Sequence, residues 1–269
     1  MFTQIPPVCN DSMMQPVDDA SVSAWIAQRL TTGSGAITTV VPCGFDAYVR
    51  VLHPVDVDGK RIVRWRNVAA ATGRTLHPLV QWWRLIDAED SNNPQSELWD
   101  GDEPDVGSID QPDNQRLLDV LTHHTNSPAN VYFALWDGWG FLRAGATAHY
   151  FTGVRRFFSH PVPVAPMASR LIDGPRLRHP GRDYVVLSGS LSEASKIPDI
   201  VGARPWRPSA NLVWPQDRSW CVATEVDFDS TLVGCSREAA KEILVCGDLE
   251  AFPINPDDSL QYDADLLNR

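Results

Sequence analysis

Glu225, Asp227, Asp229 and Thr231, spaced two apart in the stretch EVDFDSTLVG, are the residues of this chain whose types and spacing best suit chemistry. The segment 219–229 (SWCVATEVDFD) reads as a strand, with Val222, Thr224, Val226 and Phe228 on one face. Cys221, Ala223, Glu225, Asp227 and Asp229 fall on the other. Same-face neighbours stand about 6.6–6.8 Å apart, which makes a row of carboxylates. Mg²⁺ or Mn²⁺ could use one or two of them. The same spacing fits the carboxylate pairs of inverting glycoside hydrolysis, about 6.5–9.5 Å apart. The structural alternative is a solvated strand face whose like charges are offset by arginine, Arg218 being a candidate.

The Asp-x-Asp-x-Thr spelling resembles the nucleophile strand of haloacid-dehalogenase-type phosphatases, and a DxD pair is also found in metal-dependent glycosyltransferases. The first resemblance implies that Asp227 attacks phosphorus and Asp229 acts as general acid and base, with Mg²⁺ between them and Thr231 behind. It also implies a parallel, Rossmann-like sheet built largely after the motif, and only 40 of the 269 residues follow Asp229. Lys241 and the Asp257-Asp258 pair lie too close in sequence to leave room for that sheet. A central parallel strand is apolar on both faces, whereas this segment alternates. The expectation is a half-exposed antiparallel strand.

Ten tryptophans form the second feature, clustered at Trp82-Trp83, at Trp136 and Trp139, and at Trp206, Trp214 and Trp220. An indole joins a large apolar face to one N–H donor, so it serves cores, interfaces and sugar stacking alike. The tip WDGWG (Trp136, Asp137, Trp139) and the loop WPQDRSW (Trp214, Asp217, Arg218, Trp220) would line one groove if their strands are neighbours. Trp139 is expected nearest the surface. Four histidines precede proline (His53, His77, His160, His179), which restricts them to extended backbone and marks strand ends and turns. His123 and His124 fall in a helix and point apart by about 100°. The sequence has no HExxH, GxSxG, P-loop or GxGxxG motif, and TTGSGA at 31–36 lacks a phosphate-binding lysine.

The net charge of −11 is concentrated in one place: residues 87–113 hold ten acids and no Lys or Arg. An acidic chain repels phosphate backbones, which argues against a nucleic-acid partner. No apolar run reaches the length of about 18 residues that spans a membrane, and the first residues lack the basic start and apolar core of a secretory signal. Five cysteines with no CxxC pair suit reduced thiols in a cytoplasm.

Along the chain, residues 1–17 read as a flexible arm, followed by a single globular unit over 18–269. The acidic segment 87–113 interrupts that unit as a solvated loop, and subdomains 18–86 and 114–269 are possible on either side. Helices are predicted at DDASVSAWIAQRL (capped by Asp18 or Asp19), at VAAAT (capped by Asn67, ended by Gly73), at LVQWWRLI, at NQRLLDVLTHHT (capped by Asp113) and at SREAAKEILVC (capped by Ser236). Hairpins are predicted at Asp58-Gly59, Asp137-Gly138 and Pro180-Gly181. LEAFPI reads as a last strand, and residues 143–180 and 195–219 as Pro-rich and largely irregular. The fold class is therefore α+β, a mainly antiparallel sheet built from hairpins with a few packed helices.

The blocks FALWDGWGFL, GRDYVVLSG and NLVWPQDRSWCVATEVDFDSTLVG resemble a family of uncharacterised bacterial proteins with a WPxDRxWCVATExDxDSTxVG signature. The resemblance covers most of the chain apart from the arm, the acidic segment and the tail, and it implies no activity. The expected function is a non-catalytic binding or interaction module. Its unidentified protein or small-molecule partner would meet Trp136, Asp137, Trp139, Trp214, Asp217, Arg218, Trp220 and Glu225, and no cofactor is called for. The alternative is a divalent-metal-dependent hydrolase or phosphatase with Mg²⁺ or Mn²⁺ on Asp227 and Asp229.

Overall fold

The computed structural model describes residues 14–33, 35–57, 61–92, 94–143, 147–152, 156–161, 165–203 and 207–269. The strands are β1 (Gln15–Pro16), β2 (Ala47–Leu52), β3 (Val55–Val57), β4 (Arg61–Val63), β5 (Val131–Trp136), β6 (Thr147–Thr152), β7 (Arg156–Pro161), β8 (Arg176–His179), β9 (Arg182–Gly189), β10 (Leu212–Pro215), β11 (Cys221–Ala223), β12 (Ser230–Cys235) and β13 (Ala251–Ile254). The helices are α1 (Ala24–Arg29), α2 (Trp65–Thr72), α3 (Trp82–Leu85), α4 (Gln111–Thr122), α5 (Pro166–Asp173), α6 (Ile197–Ile200) and α7 (Arg237–Val245).

This is an α+β fold around an antiparallel sheet in the order β1-β9-β5-β10-β11-β12-β2-β13, with β8 also on β9; β3-β4 and β6-β7 are separate two-stranded ribbons. Residues from both sides of the acidic segment enter the one sheet, because β2 lies between β12 and β13. Both faces are covered. Val49, Val51, Phe133, Val213 and Val222 pack under α4, α5, α6 and α7. The alternate residues Tyr48, Ala134, Leu212, Trp214 and Ala223 pack against α1 and the 37–41 turn. A third cluster joins Leu52 and Val55 to Trp65, Val68, Val80 and Trp82 of α2, α3 and their connection. Among the described residues no helix is long and apolar enough to cross a membrane.

Several sequence expectations need correcting. The strand read over 219–229 is only three residues long, Cys221–Ala223, and it is buried on both faces. Residues 224–229 leave the sheet in a turn closed by Phe228 N–H donating to the Glu225 carbonyl at 3.0 Å. The carboxylate row at strand spacing therefore does not form. Asp137-Gly138 does not turn a hairpin either: β5 pairs with β9 and β10, and a 3₁₀ turn, Gly140–Leu142, follows it. The Pro180-Gly181 hairpin is present as β8-β9, and β3-β4 is a hairpin whose Asp58-Gly59 turn lies outside the described residues.

Within the expected arm of residues 1–17, Met14 is buried and Gln15–Pro16 pair with β9 as β1; residues 1–13 lie outside the described set. The stretch 143–180 contains β6, β7 and α5. Helix α2 starts two residues before Asn67. Its first amides, Trp65 and Arg66 N–H, donate to the carboxylate of Glu250, a tertiary cap that no local pattern announces. Helix α4 is capped at Asp110, and Asp113 is buried within it, held by Arg64 and Arg116.

Candidate functional site

At one end of the sheet three connections meet: the turn after β5, the β8-β9 hairpin and the 224–229 turn between β11 and β12. Arg182, at the start of β9, ties them together. Its Nε lies 2.6 Å from Glu225 and its Nη2 pairs with Asp227, while the guanidinium stands 5.2 Å from the ring of Trp136. Asp137 is paired with Arg143 and Arg176. Trp139 is half-buried, stacks on Phe141 and donates its indole N–H to Asn211. Trp136, Asp137, Trp139, Glu225, Asp227 and Asp229 thus gather at one end.

The other sequence candidates do not join them. Strand β10 is antiparallel to β5, with Pro215 opposite Val131, so the WPQDRSW loop sits at the far end of the sheet from WDGWG. The two segments are on neighbouring strands and still cannot line one groove. Trp214 and Trp220 are fully buried. Trp220 donates to the Leu121 carbonyl, and Trp214 stacks on Tyr132. Asp217 accepts from Thr125, Asn126 and Ser219 and closes its own loop. Arg218 lies over Trp25 rather than beside the carboxylates. Trp206 lies outside the described residues.

The 224–229 turn forms one wall of a cleft of about 320 Å³. Asp227, Phe228 and Asp229 face Gln81, Trp82 and Trp83 across it. Glu103 and Val106 of the acidic segment and Tyr262 of the C-terminal segment complete the rim. The acidic segment is therefore more than a solvated loop. Gly107 N–H donates to the Phe228 carbonyl at 2.9 Å, and Gly107 has a φ of +76°. A Cβ at that position would stand 2.6 Å from the Val226 carbonyl oxygen, so only glycine lets the segment dock on the turn.

Arg50 of β2 forms the floor. It is 1% exposed, and its Nε donates to Ser230 Oγ, its Nη1 to the carbonyls of Pro78 and Val80, and its Nη2 to Asp229 at 3.2 Å. Beneath the cleft runs a buried polar chain. His53 Nδ1 lies 2.6 Å from the Asp105 carbonyl oxygen, which can only accept, so the ring proton resides on Nδ1. His53 Nε2 then accepts from Thr231 Oγ1 at 2.9 Å, and Thr231 Oγ1 accepts from Thr224 at 2.8 Å. Thr231 and His53 resemble a nucleophile and its base, but both are fully buried and every proton in the chain serves a neighbour.

Burial pushes the His53 imidazole down to about 4, while burial and the nearby Asp113 carboxylate push the Asp110 carboxyl up to about 6. Their effects on stability have opposite signs. Unfolded His53 takes up a proton near its ordinary value of 6.5 and folded His53 does not. Stability is therefore lost as pH falls from 6.5 to about 4, by up to ~1.4 kcal/mol per pH unit. Folded Asp110 holds its proton up to about 6 and the unfolded group only to 3.8, so stability rises as pH falls through that window. The two largely cancel between pH 6 and 4. Asp110→Asn is expected to raise stability at neutral pH and to uncover a steep loss on acidification, measured as urea midpoints across that range. An Asp110→Asn profile parallel to wild type would show that the carboxyl is not destabilised by its site.

Among the described residues no group of three or more His, Cys, Asp or Glu is placed to hold a metal ion. Asp227 and Asp229 each already face a guanidinium. Sequence reasoning missed Arg50, Gln81, Trp82, Glu103 and Tyr262. Signals existed for Trp82, as one of the adjacent pair Trp82-Trp83, and for Arg50, a charged residue between Tyr48 and Leu52 on one face of an otherwise apolar strand. Comparison with family models, curated proteins and solved structures finds no match to the chain.

Proposed function

We propose that this chain is a cytoplasmic, non-catalytic binding module whose site is the cleft between the 224–229 turn and the Gln81-Trp83 segment. The observation that carries this reading is that the reactive-looking groups around the cleft are committed to internal partners. Asp229 is neutralised by Arg50 and Asp227 by Arg182, and the Thr231-His53 pair is sealed beneath. What faces solvent is a concave, aromatic-walled surface of the size that holds a small molecule. Carboxylates at the rim and the net charge of −11 oppose a nucleic-acid partner. The four described cysteines are free thiols, in keeping with a reducing compartment.

Val106 is 58% exposed on the rim, so a Val106→Trp side chain would fill the cleft without entering the core. Equilibrium dialysis of the whole protein against the small-molecule fraction of a bacterial cytosol, read by mass spectrometry, should find a compound retained by wild type and released by Val106→Trp. Equal retention by both proteins, or none by either, would sink the proposal.

One observation favours the metal-dependent hydrolase: Asp227 and Asp229 both line the cleft. Under that reading, Mg²⁺ or Mn²⁺ at 100 times its dissociation constant would add about 2.7 kcal/mol to stability, and Asp227→Asn would abolish the gain. The binding-module reading expects no such rise.

A further inference from the structure

Strands β6 and β7 form a ribbon of their own: among the described residues they pair with each other and with no other strand. Both ends of the ribbon are anchored, since Phe141 and Leu142 before it and Ala168 and Leu171 after it are buried in the core. The register sets Tyr150 opposite Phe158 and Phe151 opposite Phe157. Successive residues of a strand belong to opposite faces, so each face of the ribbon carries one aromatic cross-strand pair. A two-stranded ribbon alone in water is marginally stable, and one that lies against the body of its own protein turns a single face to it. The aromatic pair of the other face is left for a partner. A second observation gives that partner's charge. Residues 138–172 hold four arginines, Arg143, Arg155, Arg156 and Arg170, and no Asp, Glu or Lys, in a chain of net charge −11. Arg143 pairs with Asp137 and Arg170 donates to Gln15, while Arg156 belongs to β7 itself. Screening over about 8 Å at physiological ionic strength makes this local charge, rather than that of the whole chain, the one a partner of the ribbon meets.

Aromatic rings beside arginine, with no acid among them, suit a surface that is apolar and anionic at once. Two ribbons paired edge to edge would set arginine near arginine with no carboxylate to offset them. Nucleic acid is held chiefly through neutralised phosphates, and the described strands of the ribbon offer one arginine, Arg156. At a bilayer surface the rings themselves supply the binding and each arginine adds to it. We propose that the β6-β7 ribbon seats the protein on an anionic lipid bilayer, with an aromatic pair at the headgroup level and Arg156 beside the lipid phosphates. This surface is separate from the cleft, and neither reading depends on the other.

The test is flotation of the whole protein with vesicles of phosphatidylglycerol and phosphatidylethanolamine in equal parts, and with vesicles of phosphatidylcholine alone. Wild type should float with the first, several-fold less with the second, and less with either as salt is added. Arg156→Glu should bind the anionic vesicles about tenfold more weakly. Two double variants separate the faces: Tyr150→Thr with Phe158→Thr, and Phe151→Thr with Phe157→Thr. At least one of them should melt as wild type does and bind about tenfold less. Absence of such a variant, whether because both melt lower and the body covers both faces, or because both float undiminished, would overturn the proposal. So would wild type that floats with neither vesicle or equally with both. Self-association in sedimentation velocity, or retention of a single-stranded oligonucleotide, in place of flotation would give the ribbon another partner and sink the bilayer.

Discussion

Replacing Arg50 with methionine is expected to cost about 3–5 kcal/mol of folding stability, the range found when one partner of a buried ion pair is removed. The side chain fits the volume, but four hydrogen bonds go with the guanidinium. Asp229, Ser230 and the carbonyls of Pro78 and Val80 are left facing an apolar chain. The pair cannot be replaced by charge alone: lysine carries one donor centre where arginine carries a planar fork, so Arg50→Lys should recover only part of the loss. Adding Asp229→Asn to Arg50→Met should be less than additive, since the stranded charge is then removed. Urea denaturation of the wild type, the three single variants (Arg50→Met, Arg50→Lys, Asp229→Asn) and the double variant measures this. A loss below about 1 kcal/mol for Arg50→Met would mean that solvent in the cleft takes over its partners.

The second large effect is expected at Asn211, which is 1% exposed at the start of β10. Its Oδ1 accepts from Trp136 N–H and from Trp139 Nε1–H, both at 2.9 Å. Its Nδ2 donates to the carbonyls of Thr224 at 3.1 Å and Gly107 at 3.3 Å. One amide therefore joins the turn after β5, the 224–229 turn and the docked acidic segment. Asn211→Ala leaves two donors and two acceptors buried without partners, and at about 1–3 kcal/mol for each unsatisfied group, partly relieved by relaxation, the net loss should again reach about 3–5 kcal/mol. Asn211→Asp keeps the acceptor side and should lie between. Beyond the lower midpoint, hydrogen exchange should report faster exchange at the Trp136 amide and the Trp139 indole while the centre of β9 stays protected. Uniform loss of protection across the sheet would instead make Asn211 a global core residue with no special hold on the three connections.

The fold was legible where local signals are strong. Ser236 caps α7, Gly73 ends α2 in the left-handed region, and Pro180-Gly181 turns β8 into β9. Errors arose where distant residues override local ones. Glu250 caps α2 from the far end of the chain, so the start at Trp65 could not be read from Asn67. The alternation from Cys221 to Asp229 looked like one strand because a turn of six residues, 224–229, happens to keep the period. Gly107 and its neighbours looked solvated because the segment is acidic, and yet the Gly107 backbone docks on the 224–229 turn and the Asp105 carbonyl meets His53. Asp227 and Asp229 were found in the sequence and do reach the cleft, but the partners that define their chemistry, Arg182 and Arg50, come from β9 and β2. Pairings between strands so far apart in sequence leave no local trace.

The place of β2 in the sheet also fixes an order of events. Arg50 and Ser230 are 180 residues apart, and the two edges of β2 are taken by β12 and β13. While the chain is being made, β2 waits with both its edges open until β12 and β13, some 180 residues and more downstream, have been synthesised. Such long loop closures slow folding, and an unpaired apolar strand is a template for association with other chains. Refolding should therefore be limited by the docking of β2 and grow less efficient as protein concentration rises. The residues that seat β2, Arg50 above all, would then set how fast the native state is reached as well as how firmly it holds.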